Sequence, residues 1–228
     1  MEDFIFTKDD YGRFCENKEE LVQHWAYKQL IKFYPDSELT YKYTKKFIQP
    51  KMLKKIERID YIIRKYLEEN WKQIDGDFLL SLVEGKTKVS FEMQAHVLQA
   101  LARKGYQKHK IPNLLMEIVN QQPDINTLLV VIDALEILQT DDAYAVLRYF
   151  DKDFSSKFPF MESYMQALVS YKDEKDLQLI LETIKAKYDS LDYKKVIAKF
   201  NNLFQAEEFS YLFRNFFNQQ PLVESMET

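Results

Sequence analysis

The residues in this chain with most scope for chemistry are its lysines. Lys42, Lys45, Lys46, Lys51, Lys54, Lys55, Arg58, Arg64, Lys65 and Lys72 stand against only Glu57, Asp60, Glu68 and Glu69. Lys51, Lys54, Lys55 and Arg58 recur at i, i+3, i+4 and i+7, which on one helix makes a basic stripe opposite the apolar stripe of Leu53, Ile56, Ile59 and Ile63. Such a stripe can engage phosphates, and roughly four to six contacts give binding that weakens steeply with salt. Its other reading is a solvated helix face balanced by the nearby acids.

His24, His96, His109 and the one cysteine, Cys15, lie on separate stretches with no i, i+4 pair of the kind that marks a helical metal site, so neither a metal centre nor a cysteine-histidine pair is expected. At the C-terminal end, Phe200, Phe204, Phe209, Tyr211, Phe213, Phe216 and Phe217 form an aromatic cluster. Phe209, Leu212, Phe213 and Phe216 share one helical face, while Tyr211 and Phe217 lie off it. The off-face rings mark either a closing cap or a partner surface, including a homodimer contact. No glycine-rich phosphate loop, Gly-x-Ser-x-Gly elbow or His-Glu-x-x-His helix occurs, and the acid pairs Asp9/Asp10 and Asp141/Asp142 suit helix starts. Binding without a cofactor is therefore expected over catalysis.

The elements that must position these residues are helices. With 228 residues, 46% of them hydrophobic, but only four glycines and six prolines, the chain has little material for the turns of a β-sandwich. Seventeen Phe and fifteen Tyr point to bulky packing between layers. The N-terminus carries acid where a signal peptide needs base, the run from Leu128 to Ile132 is far short of the roughly 20 apolar residues of a membrane span, and a lone cysteine suits a reducing compartment. The expectation is a cytoplasmic protein without membrane insertion. A net charge of −4 exerts no overall pull toward nucleic acid.

Apolar stretches recur at Leu30, Ile63, Leu101, Leu135, Leu168 and Leu203, in steps of 33, 38, 34, 33 and 35 residues. That period marks stacked helical pairs, each of which covers the apolar face of the next. Asn17 and Glu20 have capping-box spacing ahead of a first helix, and a second is expected over 37–48. Helices over 52–70 and 77–83 follow, then pairs over 90–104 and 112–120, 124–138 and 143–150, 159–171 and 175–188, and 192–204 and 207–217. Residues 4–14 are either a capping helix or a flexible lead.

The first helices share the strings Gln99-Ala100-Leu101, Asp133-Ala134-Leu135 and Gln166-Ala167-Leu168. These strings, the stretch 127–150 and the Trp25-Ala26 pair resemble HEAT repeats, most closely the short HEAT-like type of the phycobilin lyases. The stretch around Ile63 departs by lacking the Ala-Leu pair, and the long step after it implies an insertion near Glu84-Gly85-Lys86. The resemblance implies an all-α, right-handed superhelix of about six pairs. It makes one domain of residues 1–219, with 1–16 as a cap, 17–217 as repeats and 220–228 as a tail. The function that follows is a non-catalytic scaffold whose second helices line a concave groove, with Tyr41, Lys45, Arg148 and Arg214 facing out and Lys42, Lys46, Lys51, Lys54, Lys55 and Arg58 drawing an acidic protein segment. The alternative is a nucleic-acid binder similar to the HEAT-like alkylpurine DNA glycosylases, which needs a basic groove lined with aromatics.

Overall fold

Short polar side chains set most of the helix starts, because they accept from backbone N–H groups that have no partner in the first turn. The computed structural model describes residues 6–56, 58–85, 89–153, 160–186, 193–205, 207–208 and 211. Thr7 opens α1 (Lys8–Phe14) with a capping box closed by Asp10. After α2 (Glu20–Phe33), Ser37 caps α3 (Glu38–Phe47), its Oγ accepting from the Thr40 N–H at 3.1 Å. Then come α4 (Pro50–Lys55), α5 (Ile59–Asn70) and α6 (Gly76–Glu84), the last capped by Asp75. Ser90 caps α7 (Phe91–Lys104), which ends at Gly105 with φ 70°, a left-handed turn that glycine takes without a Cβ penalty. Next are α8 (Ile111–Val119), α9 (Ile125–Leu138) and α10 (Asp141–Leu147), which passes into a 3-10 turn at Arg148–Asp153. Finally come α11 (Met161–Tyr171), α12 (Glu174–Ala186) and α13 (Tyr193–Leu203). The described residues contain no strand, and no helix among them is long and apolar enough to cross a membrane.

The chain divides into two compact units, Met1–Leu138 and Gln139–Thr228. In the first unit, α2 packs on α5, α5 on α7 and α7 on α9, so the first helices of consecutive pairs lie one against the next. The periodic anchors Leu30, Ile63, Leu101 and Leu135 are fully buried in that row, each contributing about 1.5–3 kcal/mol by leaving water. In the second unit, α11 packs on α13, α12 and α10, with Leu168 fully buried; Leu203 is half-buried. Alanines 100, 134 and 167 are buried along with the leucines that follow them.

Polar contacts repeat at nearly the same interval. Gln99 donates to Asp133, two equivalent positions of consecutive strings, and Arg103 reaches the same carboxylate at 3.2 Å. Tyrosine hydroxyls do the same work: Tyr43 donates to the Gly12 carbonyl at 2.7 Å, Tyr66 to the Pro35 carbonyl at 2.9 Å, and Tyr106 to Asp77. Tyr41 accepts from the Asp75 N–H at 3.2 Å. These contacts, at separations of 29 to 34 residues, give the high tyrosine content a physical reason. A buried ring fills the layer while its hydroxyl satisfies the neighbouring pair.

Two expected elements differ. Asn17 and Glu20 form no capping box: Glu19 is the N-cap residue of α2, and the Asn17 side chain accepts from the Glu19 N–H at 2.8 Å, one step too early. The helix expected over 52–70 is broken. Ile56 is extended (φ −102°, ψ 111°) and Arg58 is left-handed at φ 60°. The break leaves α4 on the surface with none of its own residues buried, while Ile56, Ile59 and Ile63 turn into the core. We expect Leu101→Ala to lower the unfolding free energy by about 2–5 kcal/mol, and Leu21→Ala, at an 82% exposed position, to change it by less than about 0.5 kcal/mol, both read from denaturant titrations at constant m-value.

Candidate functional site

The break at Ile56 takes Arg58 out of the helical register, so the stripe of Lys51, Lys54, Lys55 and Arg58 does not form as one face. The surviving cations are unequally committed. Lys46 pairs with Glu16 at 2.6 Å, and Lys55 approaches Glu20 at 4.0 Å. Lys45 sits against the rings of Tyr41, at 5.0 Å, and Phe78, at 4.6 Å, while Lys42 lies over Tyr43 at 5.2 Å. Lys42, Lys51 and Lys54 are exposed; the Lys42 charge acts on Glu16 without a close ion pair, and Lys51 and Lys54 have no carboxylate partner among the described residues. Beneath α3, Cys15 is fully buried and its thiol is pushed up to about 12 by desolvation, so it is an inert core residue under these conditions. Of the other sites, Arg214 and the aromatics Phe209, Phe213, Phe216 and Phe217 lie outside the described residues. Phe200 is buried against Phe204, and Tyr211 is exposed.

A concave feature of the first unit lies elsewhere, between α2 and α5. It is a groove of about 570 Å³ with Lys28, Lys32, Tyr61 and Lys65 at its rim, and the half-buried Ile31 and Ile62 within it. That volume falls within the roughly 300–1,000 Å³ of ordinary ligand sites. Lys28 and Lys32 are i, i+4 on α2, and Tyr61 and Lys65 are i, i+4 on α5. The packing of these helices sets the two pairs side by side. Lys65 is met by Glu69 at 3.8 Å, but Lys28 and Lys32 have no carboxylate partner among the described residues. Sequence reading placed Lys65 in the basic run and missed the groove. The available signal was two i, i+4 pairs about 33 residues apart, close to one period.

Across α5, α7 and α9 runs a second charged row whose members neutralise one another. Arg64 holds Glu92 and also Asp60 at 3.1 Å; Arg103 holds Asp133 and donates to the Glu68 carbonyl at 2.9 Å. His96 feels the charge of both guanidinium groups, and its Nδ1 has no hydrogen-bond partner among the described residues. Burial, with Arg64 and Arg103 adding to it, lowers His96 to about 4, so the ring stays neutral. In the second unit, the buried Asp176 accepts from Tyr144 at 2.6 Å and pairs with Arg148, which also meets Asp151 at 2.8 Å; Tyr164 donates to Asp151. Burial raises the Asp176 carboxyl despite the Tyr144 hydrogen bond and the Arg148 charge. Arg148, about a third exposed, thus belongs to a network that ties α10 to α12. No group of three or more His, Cys, Asp or Glu able to hold a metal ion occurs among the described residues.

Below about pH 6.5 the unfolded chain binds a proton that folded His96 refuses until about pH 4, so the unfolding free energy declines as pH falls through that window. His96→Gln flattens the decline, measured by denaturant titration at about pH 7 and about pH 5. Asp176→Asn removes the charge that Arg148 and Tyr144 share, and lowers stability by about 1–3 kcal/mol in the same assay. Comparison with protein-family models, with curated proteins and with solved structures finds no match to this chain.

Proposed function

We propose that the chain is a protein-interaction scaffold, built as a right-handed α-solenoid of about six HEAT-like pairs, that takes up an acidic segment of a partner protein on the first compact unit. The solenoid reading is supported by the row of first helices and by the tyrosine, glutamine and arginine contacts at one-repeat spacing. The functional reading is carried by one observation, the different use of arginine and lysine. Arg64 and Arg103 are spent on carboxylates, mostly between helices, while Lys28, Lys32, Lys51 and Lys54 are exposed on α2 and α4 with no carboxylate partner among the described residues, and Lys42 on α3 meets Glu16 only at longer range. Fixed positive charge left on a surface accelerates encounter with acidic segments and selects against basic ones.

The nucleic-acid reading needs aromatic platforms beside the cations, and near these lysines the exposed rings are Trp25, Phe33 and Tyr61, with Lys32 already lying over Phe33 at 4.9 Å. Affinity capture from source lysate separates the two. The scaffold reading expects a discrete protein that survives nuclease and is lost when Lys28, Lys32, Lys42, Lys51 and Lys54 are all replaced by Glu. With the partner in hand, that variant lowers the association rate by about tenfold or more at low salt, with a smaller difference at high salt. Nucleic acid that vanishes with nuclease, or a partner indifferent to the five replacements, overturns the reading.

A further inference from the structure

We propose that the groove between α2 and α5 is a docking site for an acidic amphipathic helix, one with apolar side chains along one face and carboxylates flanking it. This rests on the scaffold reading above and locates it. Three observations carry the proposal. First, Leu21, Trp25, Lys28 and Lys32 fall at i, i+4, i+7 and i+11, one stripe of α2 that is apolar in its first half and cationic in its second. Second, the apolar half is open to solvent: Leu21 is 82% exposed and Trp25 40%, although Trp25 also packs edge-on against Phe6 and Tyr11. Third, the cationic half borders a groove lined by the half-buried Ile31, Pro35 and Ile62 and, on the α5 side, by the exposed Tyr61, Lys65 and Glu69.

Each feature selects for part of the occupant. Ile31 and Ile62 favour aliphatic or aromatic side chains, and the exposed Leu21 and Trp25 extend that preference along α2 beyond the groove. Lys28 and Lys32 lack carboxylates among the described residues, so carboxylates on the occupant would complete them. From Leu21 to Lys32 the stripe spans about 16 Å, roughly three turns, which matches a helix laid alongside better than a single ligand. A phosphate chain fits less well, because it would leave the half-buried Ile31 and Ile62 uncovered, whereas the apolar face of an amphipathic helix covers them.

The test uses the intact protein as bait for a displayed library of random peptides about 16 residues long, about 24 Å as a helix. Selected peptides are then measured by fluorescence anisotropy against the wild type, Lys28→Glu with Lys32→Glu, Tyr61→Ala, and Lys51→Glu with Lys54→Glu. Every changed residue is exposed, and unchanged circular dichroism melts confirm folding. The expected result is enrichment of peptides with Leu, Phe or Trp at i, i+4 and i+7 among Asp and Glu. These weaken by about tenfold or more with the Lys28/Lys32 variant, weaken with Tyr61→Ala, and are unchanged with the Lys51/Lys54 variant. Acidic peptides that respond only to Lys51 and Lys54 overturn the groove and leave the scaffold reading standing on α4. Peptides without acids, or a bait that retains only a single-stranded oligonucleotide, overturn both.

Discussion

Two packed helices with an apolar face on each side cannot shield that face by themselves, and everything described in this chain depends on how neighbours cover it. In the first unit the cover is a continuous row, α2, α5, α7 and α9, with a fully buried Leu or Ile from each at a near-constant interval. Hydrophobic contact alone tolerates sliding, since one aliphatic surface resembles another. The tyrosine hydroxyls supply the register. Tyr43 to Gly12 and Tyr66 to Pro35 each join a ring in one layer to a main-chain carbonyl about one period earlier, and a slip of one residue would strand both partners.

The same layering sorts the charges. Guanidinium groups offer several directed donors, so Arg64 and Arg103 bridge between helices and each serves more than one acceptor. In the second unit Arg148 meets Asp151 and the buried Asp176 together. Lysine, a strongly hydrated point charge on a flexible stem, remains mostly on the outside. The acids that neutralise Arg64 and Arg103 stay partly exposed but are engaged, and Lys28 and Lys32 on α2 and Lys51 and Lys54 on α4 have no ion-pair partner among the described residues although the whole chain is acidic.

The anchors of the layers were legible because burial imposes a period, and Leu30, Ile63, Leu101, Leu135 and Leu168 are all fully buried where that period places them. The Ala-Leu strings were legible for the same reason. Less visible was the break at Ile56, because residues 52–70 satisfy a helical pattern throughout; the deviation is a backbone event at Arg58 that relocates α4 and leaves no compositional trace. The N-cap of α2 shifted by two residues because Asn17 caps a turn as readily as a helix. The α2–α5 groove was hidden for a different reason: its rim is assembled from two short pairs one period apart, and neither pair is conspicuous alone. The ion pair of Arg148 was not legible either, since its partner Asp176 is distant in sequence and buried.

Cys15 gives this layered design an internal reporter. The thiol lies under α3 at zero exposure, and burial suppresses the thiolate that would react. Modification of this side chain is therefore gated by departure of α1 from α2 and α3, a local opening far smaller than global unfolding. The rate at which an alkylating reagent finds Cys15 measures how often α1 parts from its neighbours, and any occupant that clamps α2 would slow that clock from a distance without touching the sulfur.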